Sequence, residues 1–143
     1  MSSREHDVVT ANVAHKMRVP TWKVHANIGE APQQSVPVPG GPDTFPDVVA
    51  FEKYTGRLAA IGAVETAETL ADAAAEWKLF ALLAPKFFAY VPEECLEEAM
   101  KLCRRQGIDN SGLRIYYYNS RNQFVVERGW HARKRKAAET AAA

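Results

Sequence analysis

The sequence predicts an all-α fold, in which helix hairpins stack side by side behind an extended N-terminal arm. Two observations support this prediction. Alanine is abundant, with runs at residues 73–75 and 141–143, and alanine favours helix over strand. Apolar residues also recur at three- and four-residue spacing in successive segments, as they do along one face of a helix. No internal repeat is strong enough to name a repeat family.

The N-terminal segment, residues 1–43, is expected to be the extended arm. It contains the stretch EAPQQSVPVPGGPD, in which prolines flank two adjacent glycines. That composition excludes regular helix and suits polyproline or coil structure. Trp22 is the candidate anchor of the arm, either on its own domain or on a partner. The prolines of this stretch are Pro32, Pro37, Pro39 and Pro42.

The helical domain is predicted to span residues 44–128 and to begin with two long helices. The first is capped by Asp43 or Thr44 and ends at Gly62. Pro85 stops or kinks the second, because proline lacks the amide donor and clashes with the preceding turn. The predicted apolar face of the first helix is Val48, Phe51, Tyr54 and Leu58, and that of the second is Leu70, Ala73, Trp77, Phe80 and either Leu83 or Ala84.

A third helix is predicted from Pro92 to Gly107. Proline suits the first turn of a helix, and acidic residues are favoured near its positive end. Arg104 and Arg105 fall in the last turn, where cations are favoured, and Gly107 is a ready C-terminal cap. The acidic residues are Glu93, Glu94, Glu97 and Glu98, and the apolar stripe is Leu96, Ala99, Met100 and Cys103.

The fourth element is the most ambiguous. The stretch LRIYYY would be a strand by propensity alone. A helix capped by Asn110 or Ser111 is predicted instead, because no partner strand is evident elsewhere and the apolar spacing continues to Phe124. Residues 129–143 are then expected to form a basic, alanine-rich tail.

Composition and charge exclude several classes of protein. The formal net charge is +1, so the chain as a whole neither attracts nor repels a polyanion. No run approaches the roughly 20 apolar residues that span a bilayer. The first 18 residues include Glu5 and Asp7 and lack a long apolar core, so they resemble neither a secretory signal nor a typical transit peptide. Two cysteines are too few for a disulfide framework, which favours a reducing compartment.

No catalytic, cofactor-binding or metal-ligating residue is assigned from the sequence. Cys95 and Cys103 are eight residues apart on one predicted helix, about 12 Å along its axis and beyond disulfide reach. The four glutamates of the third helix are interpreted as a helix start. The histidines do not stand at ligand spacing near cysteines or acidic motifs. The protein is therefore expected not to be an enzyme and to need no cofactor. The histidines are His6, His15, His25 and His131.

The basic residues near the C-terminus are the remaining candidates for binding. They are suited to phosphates of nucleic acid or of an anionic membrane surface, or they belong to a solvated helix end. Tyr116, Tyr117 and Tyr118 are interpreted as core and interface residues, with a base-stacking platform as the alternative. The basic residues are Arg128, Arg133, Lys134, Arg135 and Lys136.

The segment from Trp77 to Tyr118 resembles the family of cytochrome c oxidase subunit Va, called subunit VI in fungi. Trp77 and Leu79 match its Trp-x-Leu helix, and FFAYVPEE matches the aromatic segment that follows. The pair Arg104-Arg105, with Arg114-Ile115 eight residues beyond, repeats the family's spacing between the end of one helix and the start of the next. The arm and the short basic tail depart from the family, so the chain resembles a divergent member.

The resemblance implies a function as well as a fold. The fold would be a right-handed, tetratricopeptide-like α-superhelix of paired helices. The protein would be a non-catalytic accessory subunit of mitochondrial respiratory complex IV, docked on the matrix side of the inner membrane among the subunits of the electron-transport complex. The alternative is a peripheral RNA-associated helical protein, such as a mitochondrial ribosomal subunit. A free adaptor with a peptide-binding groove has no residue-level support.

Overall fold

The computed structural model describes residues 4–29 and 33–142 and shows a mixed α/β fold built on one six-stranded sheet. The strands lie in the sheet in chain order, from β1 at one edge to β6 at the other. The strands are β1 Trp22–Ala26, β2 Val48–Glu52, β3 Leu58–Val64, β4 Lys86–Pro92, β5 Leu113–Tyr118 and β6 Phe124–Arg128. The helices are α1 Arg4–Lys16, α2 Ala74–Leu83, α3 Leu96–Gln106 and α4 Gly129–Ala142.

Two kinds of strand pairing make up the sheet. β1, β2 and β3 form an antiparallel meander, and β5 and β6 form an antiparallel hairpin. Between them, β3 pairs parallel with β4, and β4 pairs parallel with β5. Parallel neighbours need a crossover connection, which α2 and α3 supply. The carboxyl ends of β3, β4 and β5 therefore lie at one end of the strands, and their amino ends lie at the opposite end.

Helices cover both faces of the sheet. Ile61, Val91 and Ile115 point to the face where Trp77 and Phe80 of α2 and the apolar stripe of α3 pack, in a core that also holds Ala132 of α4. The opposite face packs against Val9 and Val13 of α1 and against Met17, just after that helix. The sheet residues on this face are Val48, Ala60, Val64, Tyr90 and Tyr116. A sheet that is buried on both faces has strands that are nearly continuous apolar runs.

The predicted all-α superhelix is therefore wrong, and two of the four predicted helices are β-hairpins. The segment assigned to the first helix is the β2–β3 hairpin, and Tyr54, placed on its apolar face, is 90% exposed beyond the end of β2. The segment assigned to the fourth helix is the β5–β6 hairpin. Strand propensity gave the correct answer for LRIYYY, and β4 and β6 are the partners that the sequence alone did not reveal.

The other two predicted helices exist, with shorter bounds. α2 ends at Leu83 before Pro85, with Trp77 and Phe80 on its buried side, and the aromatic segment after it is β4. α3 begins at Leu96, and Glu93–Cys95 forms a 3-10 turn. Gly107 ends α3 in the left-handed conformation, with φ 66°, as the sequence predicted.

The N-terminal segment is more ordered than an extended arm. α1 covers residues 4–16, and β1 is an edge strand of the sheet paired with β2. The proline-rich segment that follows crosses the surface, where Val36 bridges Thr44 and is 3% exposed. Pro32 lies outside the described residues. None of the helices in the described part of the chain is long and apolar enough to cross a membrane.

Candidate functional site

A cavity of about 500 Å³ opens at the end of the sheet that holds the carboxyl end of β3. Its walls come from α1, from the residue just before β2, and from the segment that links β3 to α2. In open α/β sheets, the region just outside the carboxyl ends of the parallel strands is the usual place for a ligand. Five carboxylic acids and one histidine line the cavity: Asp47, Glu65, Glu68, Asp72, Glu76 and His6.

Glu65 is the most buried of these acids, with 5% of its surface exposed. The indole Nε1 of Trp77 donates a hydrogen bond to Oε2 of Glu65 over 3.0 Å, and the Thr69 hydroxyl donates to Oε1 over 2.8 Å. The Tyr116 hydroxyl donates to the main-chain carbonyl of Glu65 over 2.8 Å. These contacts hold the side chain where β3 ends and fix its orientation at the cavity wall.

Burial raises the pKa of Glu65 from 4.5 to about 7, against the opposing effect of the hydrogen bonds from Trp77 and Thr69. The carboxyl group is therefore a mixture of neutral and ionised forms at neutral pH. A pKa near the working pH is the property that suits a group to exchange protons with a ligand.

His6 and Asp47 form an ion pair beside Glu65. Nε2 of His6 lies 3.1 Å from Oδ1 of Asp47 and 3.1 Å from the carbonyl oxygen of Val64. Oδ2 of Asp47 accepts the Val64 amide over 2.7 Å, so the pair also ties α1 and β2 to the end of β3. The hydrogen bond to Asp47 raises the pKa of His6 to about 9, and the imidazole is charged at neutral pH.

The other acids leave the cavity negative. Burial, with the charge of Asp47 as a further cause, raises the pKa of Glu76. Glu68 and Asp72 carry no ion pair among the described residues. Among the described residues that line the cavity, His6 is the only cation, and it is already paired with Asp47. Within residues 4–29 and 33–142, no group of three or more His, Cys, Asp or Glu side chains is placed to hold a metal ion.

Most candidates from the sequence lie away from this cavity. Cys95 and Cys103 are both buried free thiols in the α3 region, and burial raises the pKa of each. Glu93 and Glu97 pair with Arg135 and Arg133 of α4 at 2.8 and 3.3 Å. These contacts link α4 to the start of α3.

The three tyrosines alternate along β5. Tyr116 is buried on the α1 face, Tyr117 lies on the opposite face with the guanidinium of Arg135 5.7 Å from its ring centre, and Tyr118 is 45% exposed. Because successive side chains of a strand point to opposite faces, they do not form one stacking platform.

The basic residues near the C-terminus are also divided among several environments. Arg135 binds Glu93, Glu127 and Glu139 at 2.8, 2.9 and 3.0 Å, and the bonds to these carboxylates raise its pKa. Lys136 donates to the carbonyl of Glu93 over 2.9 Å. Lys134 lies 6.0 Å from the ring centre of Trp130, and Arg128 ends β6 opposite Arg114. They do not form one exposed basic surface.

Sequence reasoning missed His6, Asp47 and Glu65 as parts of a site. One signal was present: Asp47 directly precedes the apolar run VVAF, and Glu65 directly follows LAAIGAV. One acid stands before the first apolar run and one stands after the second. If the two runs are antiparallel strands, both carboxylates lie at the same end of the sheet. Because these segments were assigned to helices, that signal was not used.

The chain matches no protein-family model, no curated protein and no solved structure. Its function has to be argued from its own residues.

Proposed function

We propose that the protein binds a small organic cation, an amine or a guanidinium compound, in the acidic cavity beside Glu65. The observation that carries the proposal is the buried carboxyl of Glu65 in the wall of a cavity whose other charged groups are mainly acids. Removing a carboxylate from water is costly unless a positive charge or several donors compensate it. Its two side-chain donors, Trp77 and Thr69, are both neutral.

A bound cation would supply the missing charge. His6 does not supply it, because its imidazolium is hydrogen-bonded to Asp47. Glu68, Asp72 and Glu76 add negative potential along the link to α2. The volume of about 500 Å³ suits a small molecule. An organic cation is favoured over a metal ion because no metal-ligating group of three side chains is found in the described chain.

Because the pKa of Glu65 is raised, the affinity for a cation is expected to depend on pH. A cation next to the carboxylate favours its ionised form, so binding near pH 7 releases a proton from Glu65. Amines and guanidinium groups stay charged between pH 6 and pH 8. Affinity is therefore expected to rise across that interval as Glu65 loses its proton.

The test is isothermal titration calorimetry of the full chain with agmatine and with spermidine, at pH 6 and pH 8. Titrations in two buffers of different ionisation enthalpy measure the proton released. Glu65→Gln is expected to weaken binding at least tenfold at pH 8 and to remove the proton release. Glu98→Gln, an exposed acid on α3 outside the cavity, is the matched control and is expected to change neither. Absence of binding by both compounds, or equal affinity in the Glu65 variant, would contradict the proposal.

The accessory-subunit function stays a prediction, as does its place on the matrix side of the mitochondrial inner membrane. The superhelix that the resemblance implies is wrong, because the segment from Trp77 to Tyr118 forms α2, β4, α3 and β5. The prediction now depends on the residue pattern alone. Co-migration of the protein with cytochrome oxidase activity on a native gel would support it, and sedimentation as a free monomer away from the inner membrane would overturn it.

The RNA-associated alternative and the expected absence of enzyme activity also stay predictions. Arg133, Arg135 and Lys136 already bond within the protein, which leaves fewer cations for phosphates. Deleting α4 would be a poor test, because Ala132 is part of the core. Lys134→Gln with Arg133→Gln preserves the helix. If the protein binds RNA through α4, this double variant weakens binding and reduces its salt dependence.

A further inference from the structure

A second cavity, of about 520 Å³, lies at the opposite end of the sheet, where β4 and β5 begin. Three basic side chains line it, from three adjacent strands: Lys86 of β4, Arg114 of β5 and Arg128 of β6. One acid, Asp109, shares the lining, and its carboxylate accepts the Ser111 amide over 2.9 Å as the cap of a turn. The cavity is therefore positive, in contrast to the acidic cavity at the other end of the strands.

Arg114 and Arg128 are direct partners in the β5–β6 register. Cross-strand partners point to the same face with Cβ atoms about 5 Å apart, and two like charges in that arrangement destabilise a sheet. No carboxylate in the described part of the chain forms an ion pair with Arg114, Arg128 or Lys86. Burial, with the charge of Arg128 as a further cause, lowers the pKa of Arg114 against the opposing effect of Tyr90. Among the described residues, no carboxylate therefore offsets the repulsion between the two guanidinium groups.

Arg114 is also held in place. Its Nη1 donates to the carbonyls of Ser111 and Leu113 over 2.8 and 3.3 Å, and its guanidinium lies 5.1 Å from the ring centre of Phe88. These contacts fix the plane of the guanidinium and occupy only one of its three nitrogens. A planar guanidinium held in this way is ready to bind an oxyanion through its remaining N–H groups.

We infer that this basic cavity binds a phosphate group, carried by a small phosphomonoester or by free phosphate. Arg114 supplies the fixed guanidinium and Arg128 the second positive charge. Lys86, whose Nζ lies 5.7 Å from the ring centre of Trp22, adds a positive charge on the neighbouring strand. A phosphate among the three removes the repulsion between Arg114 and Arg128. The cavity volume fits a small molecule, so a phosphomonoester is favoured over a nucleic-acid backbone. The inference is independent of the acidic cavity, which lies at the other end of the strands.

The test is the thermal midpoint of the full chain against increasing inorganic phosphate and against increasing glucose 6-phosphate, at constant ionic strength maintained with chloride. A ligand that binds only the folded state raises the midpoint with concentration. Wild-type protein is expected to show this rise with both compounds. Arg128→Gln is expected to have a higher midpoint than wild type without phosphate, since the repulsion is gone, and to lose most of the phosphate-dependent rise.

Two further variants keep the test decisive. Arg114→Gln is expected to weaken the apparent affinity for phosphate at least tenfold, whatever its own midpoint. Lys101→Gln, on the exposed side of α3, is the charge-matched control and is expected to behave as wild type. The inference is overturned if phosphate gives no rise, or if Arg114→Gln and Arg128→Gln respond like the control. Tighter binding of a single-stranded oligonucleotide per phosphate than of glucose 6-phosphate would overturn the small-molecule assignment.

Discussion

The indole N–H of Trp77 is hydrogen-bonded to the buried carboxyl of Glu65 over 3.0 Å, and this contact joins the first helix after the meander to the end of β3. Trp77 is fully buried, so its N–H needs a partner inside the protein. Glu65 provides that partner, although its burial raises its pKa to about 7. The contact therefore couples the packing of α2 to the protonation of a group in the acidic cavity.

Replacing Glu65 by glutamine is expected to flatten the pH dependence of stability between pH 4.5 and pH 7. The folded-state pKa of Glu65 lies above its ordinary value of 4.5, so the folded protein holds more protons than the unfolded chain in this interval. Wild-type stability therefore falls as pH rises, by up to about 3 kcal/mol from this group. Glutamine cannot ionise and keeps an acceptor for Trp77.

Urea unfolding at pH 5 and pH 7.5 measures this difference. Glu68→Gln, an exposed acid in the same segment, is the control and should lose stability between the two pH values as wild type does. If Glu65→Gln loses as much as the control, Glu65 does not hold its proton in the folded state.

Replacing His6 by glutamine is expected to destabilise the protein at pH 6 and to have little effect near pH 10. The folded-state pKa of His6 is raised from 6.5 to about 9 by Asp47, so its stabilisation is fully present below pH 6.5 and lost as pH rises through about 9. The loss at pH 6 is expected to be about 3 kcal/mol. His15→Gln, exposed on the same helix, controls for helix propensity. A difference from wild type that is the same at pH 6 and pH 10 would show that the ion pair is not the cause.

Replacing Gly112 by alanine is expected to destabilise the protein by about 2 kcal/mol or more. A Cβ at this position would overlap the main-chain carbonyl oxygen of Phe87, and backbone cannot move aside as a side chain does. Gly41→Ala is the control, since its Cβ would meet only a side-chain methyl of Val38 at an ordinary 3.7 Å. Thermal denaturation of both variants should show a large loss for Gly112→Ala alone, and equal midpoints would refute the close approach of Gly112 to the main chain at Phe87.

Replacing Gly107 by valine is expected to cost about 1 kcal/mol or more, for a different reason. Nothing lies within 4 Å of a Cβ added there, so the cost comes from the left-handed φ of 66° and not from a clash. Gly107→Asn separates the two causes, because asparagine adopts this conformation more readily than valine. Chemical denaturation should rank wild type above the asparagine variant and the asparagine variant above the valine variant. A valine variant as stable as wild type would place the end of α3 elsewhere.

Local signals in the sequence were enough for α3 and for much of α2. Acids before and within the first turn of α3, Arg104 and Arg105 at its end and the cap at Gly107 act within a few residues of one another, so no tertiary contact is needed to recognise them. Pro85 marks the end of α2 equally locally. The same kind of signal existed for α1, since Val9 and Val13 within the helix and Met17 just after it recur every four residues, but the polar residues around them concealed it.

The strands were concealed by their burial. β3, with the sequence LAAIGAV, is apolar at every position because helices cover both faces of the sheet, so it shows no two-residue alternation. Alanine and valine at such positions are compatible with a helical pattern. The β5 stretch LRIYYY was recognised as a strand by propensity and then rejected for lack of a partner, and its partners β4 and β6 had themselves been assigned to helical segments.

By itself, the sequence determined where two of the helices lie and where they end, before Pro85 and at Gly107, because proline, glycine and the placement of charges act on the nearest few residues. Only the tertiary structure decided that the segments between them are strands, since a strand is defined by hydrogen bonds to residues far away in sequence. The tertiary structure also decided both cavities. Asp47 and Glu65 lie at one end of the sheet because β2 and β3 are antiparallel neighbours. Lys86, Arg114 and Arg128 lie at the other end because β4, β5 and β6 are side by side. Burial, which no composition specifies, then gave Glu65 its unusual pKa.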